Sequence, residues 1–352
     1  MILEGHQGEA WLNETDRKNL QLENNEQLSL TEVMNDQRMI GLDALRGIAA
    51  FAVLGFHVDA KFGGFEAFAR GYLAVDLFFM LSGFVLDMAY AGHMEFRRFI
   101  VARIKRVWPT MAVGAMLGFI VFAVQGVVLP LNLVATLLFL PLFTPIDVAF
   151  VLNRCAWSIF FELVANGAHA LVFRRLSTII LVALTVACFA VVAALSAKTS
   201  LEVVGARSNS FFYGFARVGF SYLGGILLSR FSSDLRIPAV QGGLFIFPAV
   251  VIALALCSAP SVFDAAVVAS INPLVIVILA RSKDWSNAAL SALGQISFPL
   301  YAVHYPILQG CIALGWNAYQ AMAASLVFAA CVAYFSARLA QRSDHRVPLE
   351  ST

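Results

Sequence analysis

Charge is what this sequence lacks. Only 13% of its 352 residues are Asp, Glu, Lys or Arg, about half the share found in a soluble domain. That scarcity excludes an ordinary water-soluble globule. The near balance of charge, net +2, offers no basic surface of the kind nucleic acid requires. Cysteine is also sparse: Cys155, Cys188, Cys257, Cys311 and Cys331 show no CxxC or other metal-ligand spacing, which leaves no redox motif or zinc site to read. Four of them sit in apolar blocks, and the set reads as inert buried thiols. No cleavable signal peptide is expected either, because the first 38 residues are polar.

What the chain has instead is hydrophobic residues, 60% of the total, with a mean hydropathy of +0.79. They fall in blocks near the roughly 20 residues that a bilayer-spanning helix needs. Ten spans can be marked, at 41–60, 71–91, 109–128, 156–173, 178–196, 209–229, 239–257, 263–280, 290–312 and 318–338. The block 131–143 is apolar but short and bounded by Pro141 and Pro145, which suits a re-entrant segment better than a span. The expected fold is an all-α polytopic membrane protein, a bundle of about ten transmembrane helices with that one re-entrant piece. Residues 1–38 hold eight acidic and three basic residues and read as a polar, disordered tail, with Met34 and Met39 as alternative starts. The membrane domain then covers 39–340, and 341–352 form a short C-terminal tail.

Basic residues orient the bundle. With the N-terminus inside, the cytoplasmic segments collect fourteen Lys and Arg and the outer loops five (Lys61, Arg70, Arg154, Lys198 and Arg207), as the positive-inside rule requires. Counting 131–143 as a span would invert every later loop. Two basic residues remain within spans, Arg46 and Arg217, joined by Asp76, Asp87, Glu162, His57, His169 and His304. Ionisable groups in a bilayer are costly and therefore mark sites. Asp87 and His169 lie near span ends and read more simply as reaching the headgroups.

Arg46 and His57 are eleven residues apart, close to three helical turns, so they share one face roughly 16 Å apart along the axis. His57, Asp76, Glu162, His304 and Arg217 fall at similar depth in the outer half. Near the inner face, Arg103 and Arg106 lie three apart on one helix face. Paired guanidiniums there suit a phosphorylated ligand, and equally an ordinary anchor to lipid phosphates. A proton-coupled transporter would use similar mid-membrane groups, so charge placement leaves both classes open.

The ordered motifs go further. "LDALRGIAAFAVLGFH" (42–57), "GYLAVDLFFMLSGFVL" (71–86), "ARIKRVWP" (102–109), "CAWSIFFELVANGAH" (155–169), "FARVGFSYLGGILLSR" (215–230) and "ISFPLYAVHYPIL" (296–308) together resemble the acyltransferase-3 family of integral membrane acyltransferases. Two departures stand out: the aromatic pair usual after Glu162 is absent, and the 215–230 helix matches loosely. The resemblance implies transfer of an acyl group, commonly acetyl from acetyl-CoA, to a hydroxyl of an extracytoplasmic or membrane-linked acceptor, most often a glycan. It implies His57 as the essential histidine and Arg46 as its motif partner on the donor side, with Arg103 and Arg106 on the donor's phosphates. His57 would act as general base or brief acyl carrier, with Asp76 or Glu162 orienting its imidazole. Tyr301 and His304 would line the acceptor side, with Arg217, Trp157 and Ser158 in support. No metal and no permanently bound cofactor is expected, since the histidines lack a spacing such as HExxH. The expected location is a bacterial inner membrane, with the bilayer, acyl-CoA and the acceptor as partners and no nucleic acid. Some relatives append a soluble hydrolase-like domain, and this membrane domain is expected to act without one of its own. A multi-span transporter or flippase for a glycan or lipid precursor is the alternative. It would show duplicated halves with broken helices, whereas the polar signatures at 42–57 and 296–308 differ in kind.

Both termini are expected in the cytoplasm. A C-terminal reporter active only outside the cytoplasm should stay silent; a strong signal from it would overturn the span count.

Overall fold

The computed structural model describes residues 40–89, 95–143, 147–232, 241–281 and 288–344. The N-terminal tail at 1–38 and the last eight residues of the expected C-terminal tail lie outside these. Eleven α-helices and no strands occur among the described residues. In chain order they are α1 (Ile40–Phe62), α2 (Ala74–Ala89), α3 (Phe96–Val124), α4 (Pro130–Leu137), α5 (Ala156–Leu171), α6 (Thr178–Ser196), α7 (Gly214–Ser232), α8 (Ile246–Leu256), α9 (Val262–Arg281), α10 (Ala288–Ala313) and α11 (Ala318–Asp344). Eight helical segments are long and apolar enough to cross a membrane. Each of the ten expected spans coincides with one helix, and α4 takes the place of the expected re-entrant block.

Three expectations need correction. The span at 109–128 begins earlier: α3 runs unbroken through Pro109 from Phe96. Its 29 residues extend about 43 Å, more than the roughly 30 Å of hydrocarbon. The basic first turns, with Arg103 and Arg106 on one helix face, therefore continue into the span as a single helix. The span at 239–257 is short, since only Gly242–Leu256 is helical and apolar there, about 22 Å at helical rise. And α11 continues through Asp344, so the first residues of the expected tail are helix.

The re-entrant reading has a physical basis. After five intervening residues Pro130 starts α4, and the chain runs back beside α3, where Trp108 Nε1 donates to the Leu137 carbonyl at 2.9 Å. Phe139, at φ 53°, ends the run in a left-handed conformation rare for a bulky residue. The following loop packs inward, with Val148 to Leu152 buried.

α1 and α2 are the most enclosed helices, whereas α6 and α11 show most of their apolar surface outward, as a lipid-facing helix would. α2 packs mainly on α7, and their backbones nearly touch. A Cβ on Gly83 would overlap the Tyr222 carbonyl oxygen, and one on Gly225 would overlap that of Met80. Helices gain contact this way where no hydrophobic force drives them together. Kinks are also accommodated. Pro306 in α10 leaves the Ala302 carbonyl without its helical donor, and Asn153 Nδ2 supplies one at 2.7 Å.

Gly83→Val and Gly225→Val should each separate α2 from α7. Overpacking of this kind costs about 1–3 kcal/mol, read as a lower melting temperature of the purified protein in detergent. An unchanged melting temperature for both would contradict the close crossing.

Candidate active site

α1 carries Arg46 near one end and His57 near the other, and each opens into its own cavity. The larger, of about 350 Å³, is lined by Arg46, Arg103 and Arg106 at one end and by Ser158, Glu162 and Tyr301 further in. Arg46 Nη1 pairs with Asp43 Oδ1 at 2.6 Å, one turn earlier. The Arg103 guanidinium lies over the Phe99 ring, and its Nε is buried without a hydrogen-bond partner. Three cationic heads stand against two carboxylates, Asp43 and Glu162, so this cavity keeps an excess of positive charge.

The smaller cavity, of about 90 Å³, is lined by His57, Arg154, Cys155 and Trp157. Val75 and Tyr301 border both cavities, so a wall one side chain thick divides them. The His57 imidazole makes no hydrogen bond among the described residues. It is held by ring contacts instead, at 5.2 Å from His304, 5.3 Å from Tyr305 and 4.9 Å from Phe56. His304 is fully buried, and its Nδ1 sits 2.8 Å from the Leu300 carbonyl. A carbonyl can only accept, so Nδ1 carries a proton. Its Nε2 faces Cys155 Sγ at 3.6 Å.

Tyr301 and Ser158 stand at the dividing wall with oxygens 2.5 Å apart. Ser158 Oγ donates to the Cys155 carbonyl at 2.9 Å, which leaves Tyr301 as donor to Ser158. Thus Tyr301, His304, Ser158 and Cys155 form one cluster beside His57.

The two expected carboxylates are elsewhere. Asp76 is clamped by Arg217, with Nε 3.0 Å from Oδ1 and Nη2 2.6 Å from Oδ2, and also accepts from Ser221 at 3.3 Å. Arg217 Nη1 donates to the carbonyls of Leu201 and Val204, and its guanidinium lies over the Trp157 ring. Both residues are 1% exposed. A carboxylate held so fully has no lone pair left to orient His57, and the expectation for Asp76 is corrected on that ground. Glu162 lines the large cavity and accepts from Ser82 at 3.2 Å; no hydrogen bond joins it to His57. Arg217 and Trp157 reach the His57 cavity as part of its wall.

Other readings change too. His169 does not reach headgroups: it is fully buried, with both ring nitrogens unpartnered. Asp87 pairs with Arg230 at 3.9 Å. Cys257 and Cys331 are exposed rather than buried. Sequence reasoning passed over Cys155, Asn153, Lys61 and Arg154. Lys61 and Arg154 both lie over the Tyr305 ring beside His57. The one signal for Cys155 was its position two residues before Trp157.

Comparison with known proteins gives the family. The Acyl_transf_3 family model, described as an acyltransferase domain, matches residues 39–338. The chain belongs to this acyltransferase family. It is 39% identical over 158 residues to "Protein 2 in picA locus" of Rhizobium radiobacter, covering 38% of this chain and 82% of that protein. It is also 35% identical over 75 residues to the "Putative peptidoglycan O-acetyltransferase YrhL" of Bacillus subtilis (strain 168), covering 20% of this chain and 11% of that protein. No solved structure matches. The acyltransferase is thus embedded in a membrane through apolar helices that enclose two adjoining cavities.

The Asp76–Arg217 pair gives a test of what holds this acyltransferase together. Removing one partner of a buried ion pair costs about 3–5 kcal/mol, because the other charge is left uncompensated. Asp76→Asn and Arg217→Gln should each lower the melting temperature sharply, and the double variant should be more stable than either single one. Single variants as stable as wild type would show that the pair is not needed.

Proposed function

We propose that this acyltransferase moves an acyl group, commonly acetyl, from acyl-CoA in the large cavity to an acceptor hydroxyl in the His57 cavity. The observation that carries the reading is the shared wall. One cavity offers three arginines and an unpartnered Arg103 Nε, chemistry suited to phosphate oxygens. The other offers an imidazole with both nitrogens free of protein partners. The donor's phosphates would rest on Arg46, Arg103 and Arg106, and its pantetheine arm would lie along Phe78, Phe79 and Val85, bringing the thioester to Tyr301. The positive-inside count puts the arginine end at the cytoplasm, where acyl-CoA is made, and His57 towards the far side of a bacterial inner membrane.

The reaction then follows. His57 takes the proton of the acceptor hydroxyl as its oxygen attacks the thioester carbonyl. The tetrahedral oxyanion forms near Tyr301, whose hydroxyl would turn from Ser158 to donate to it. Collapse of the intermediate breaks the carbon–sulfur bond, and the proton held on His57 leaves with the CoA thiolate. Similarity to a protein named as a putative peptidoglycan O-acetyltransferase supports a glycan as acceptor. Glu162, inside the donor cavity, would position the donor rather than the base.

The test is thiol release from acetyl-CoA by purified protein with an acceptor glycan present. His57→Ala should lose about 10²–10⁴-fold in rate while inserting normally, since alanine makes α1 more apolar. Arg103→Ala with Arg106→Ala should raise the KM for acetyl-CoA and leave kcat largely unchanged. His57→Ala turning over like wild type at matched abundance would end the acid–base role, and an unchanged KM in the arginine variant would return those residues to lipid anchoring.

A further inference from the structure

We infer that His57, Cys155 and His304 form a binding site for a soft, thiophilic divalent metal ion such as Zn2+. Their ligand atoms all lie within 4.8 Å of one another. In a tetrahedral site with Zn–S near 2.3 Å and Zn–N near 2.0–2.1 Å, sulfur and nitrogen stand about 3.5 Å apart. Cys155 Sγ and His304 Nε2 are 3.6 Å apart already. His304 is also set as a ligand in its second shell. Its Nδ1 is tied to the Leu300 carbonyl, the outer-shell arrangement that fixes the tautomer and aims Nε2 at a metal. His57 has no competing hydrogen bond, so its ring is free to close the remaining gap, at most about 1.4 Å beyond tetrahedral ligand spacing. The fourth position faces the small cavity, which His57 and Cys155 both line. Two histidines and one cysteine with an open position make a donor set that zinc accepts.

Linear spacing hides the site, because its ligands come from α1, the residue before α5, and α10. Charge limits how firmly it holds. Binding releases the Cys155 proton to solvent and leaves a thiolate, so the filled site carries net +1 beside Lys61 and Arg154, with no carboxylate ligand. The thiolate and imidazole donors disfavour hard ions such as Mg2+ or Ca2+, and the two neighbouring cations keep binding reversible. An occupying ion takes the His57 nitrogen that acts as base, so metal binding and acyl transfer compete. That last consequence rests on the proposed role of His57; the binding itself does not.

Co2+ tests the site on purified full-length protein in detergent, through the visible absorption of a tetrahedral ion and its thiolate charge-transfer band. One equivalent should give both, and Zn2+ should displace it. The band should persist in the Cys257→Ser and Cys331→Ser double variant and vanish in Cys155→Ala. His304→Gln should weaken binding by at least the roughly 10–100-fold that loss of an outer-shell partner costs. Absence of a thiolate band in the wild type, or its persistence in Cys155→Ala, would overturn the site. Should Cys155→Ala not fold, Zn2+ protection of Cys155 from alkylation, read by mass spectrometry on the wild type, decides instead: an unprotected thiol rejects the site. If the band forms but Zn2+ leaves acetyl transfer untouched, the metal site stands and the base role of His57 falls.

Discussion

Arg217 inside the bundle is the constraint around which this structure is arranged. A guanidinium at 1% exposure within apolar helices is tolerable only if its donors are matched. Asp76 takes two of the contacts, and the carbonyls of Leu201 and Val204 take another donor. These partners come from α2 and from the segment before α7, so satisfying one side chain ties two helices and a connecting segment together. The close glycine crossing of α2 and α7 follows the same line. It also fixes Trp157 under the guanidinium, and Trp157 walls the His57 cavity.

The polar residues divide by whether they are satisfied. Asp76, Arg217, Asn153, Ser158 and Tyr301 have partners and shape the walls. Arg103 Nε and the His57 imidazole lack them and face cavities on opposite sides of Val75 and Tyr301. A buried polar group without a partner carries a desolvation penalty, and a ligand that supplies the partner recovers it. Among the residues that line the two cavities, this contrast separates scaffold from site more than the count of charges does. It also supports placing two substrates on opposite sides of one wall, so that neither crosses the bilayer for the reaction to occur.

Much of the architecture was legible in the residues. The spacing of apolar blocks located all ten helices and the short α4, because bilayer thickness sets segment length whatever the neighbours do. Boundaries failed where amphipathic helix leaves the bilayer: the first turns of α3 are rich in arginine, and hydropathy cannot tell a helical extension from a loop. Depth was also legible along single helices, and the shared face of Arg46 and His57 follows from helical period alone.

Lateral arrangement was not. Asp76, Glu162 and His57 share a depth, yet Asp76 turns to Arg217 and Glu162 to Ser82, because which neighbour a helix presents depends on packing between segments distant in sequence. For the same reason Cys155 read as an inert thiol until the segment before α5 met α10 at His304. The sequence by itself determined a membrane-embedded, all-helical acyltransferase, since its length periodicity and ordered motifs are local properties. Only the tertiary structure decided which charges neutralise each other and which stay free in a cavity, since that pairing is set by the rotation of each helix about its own axis.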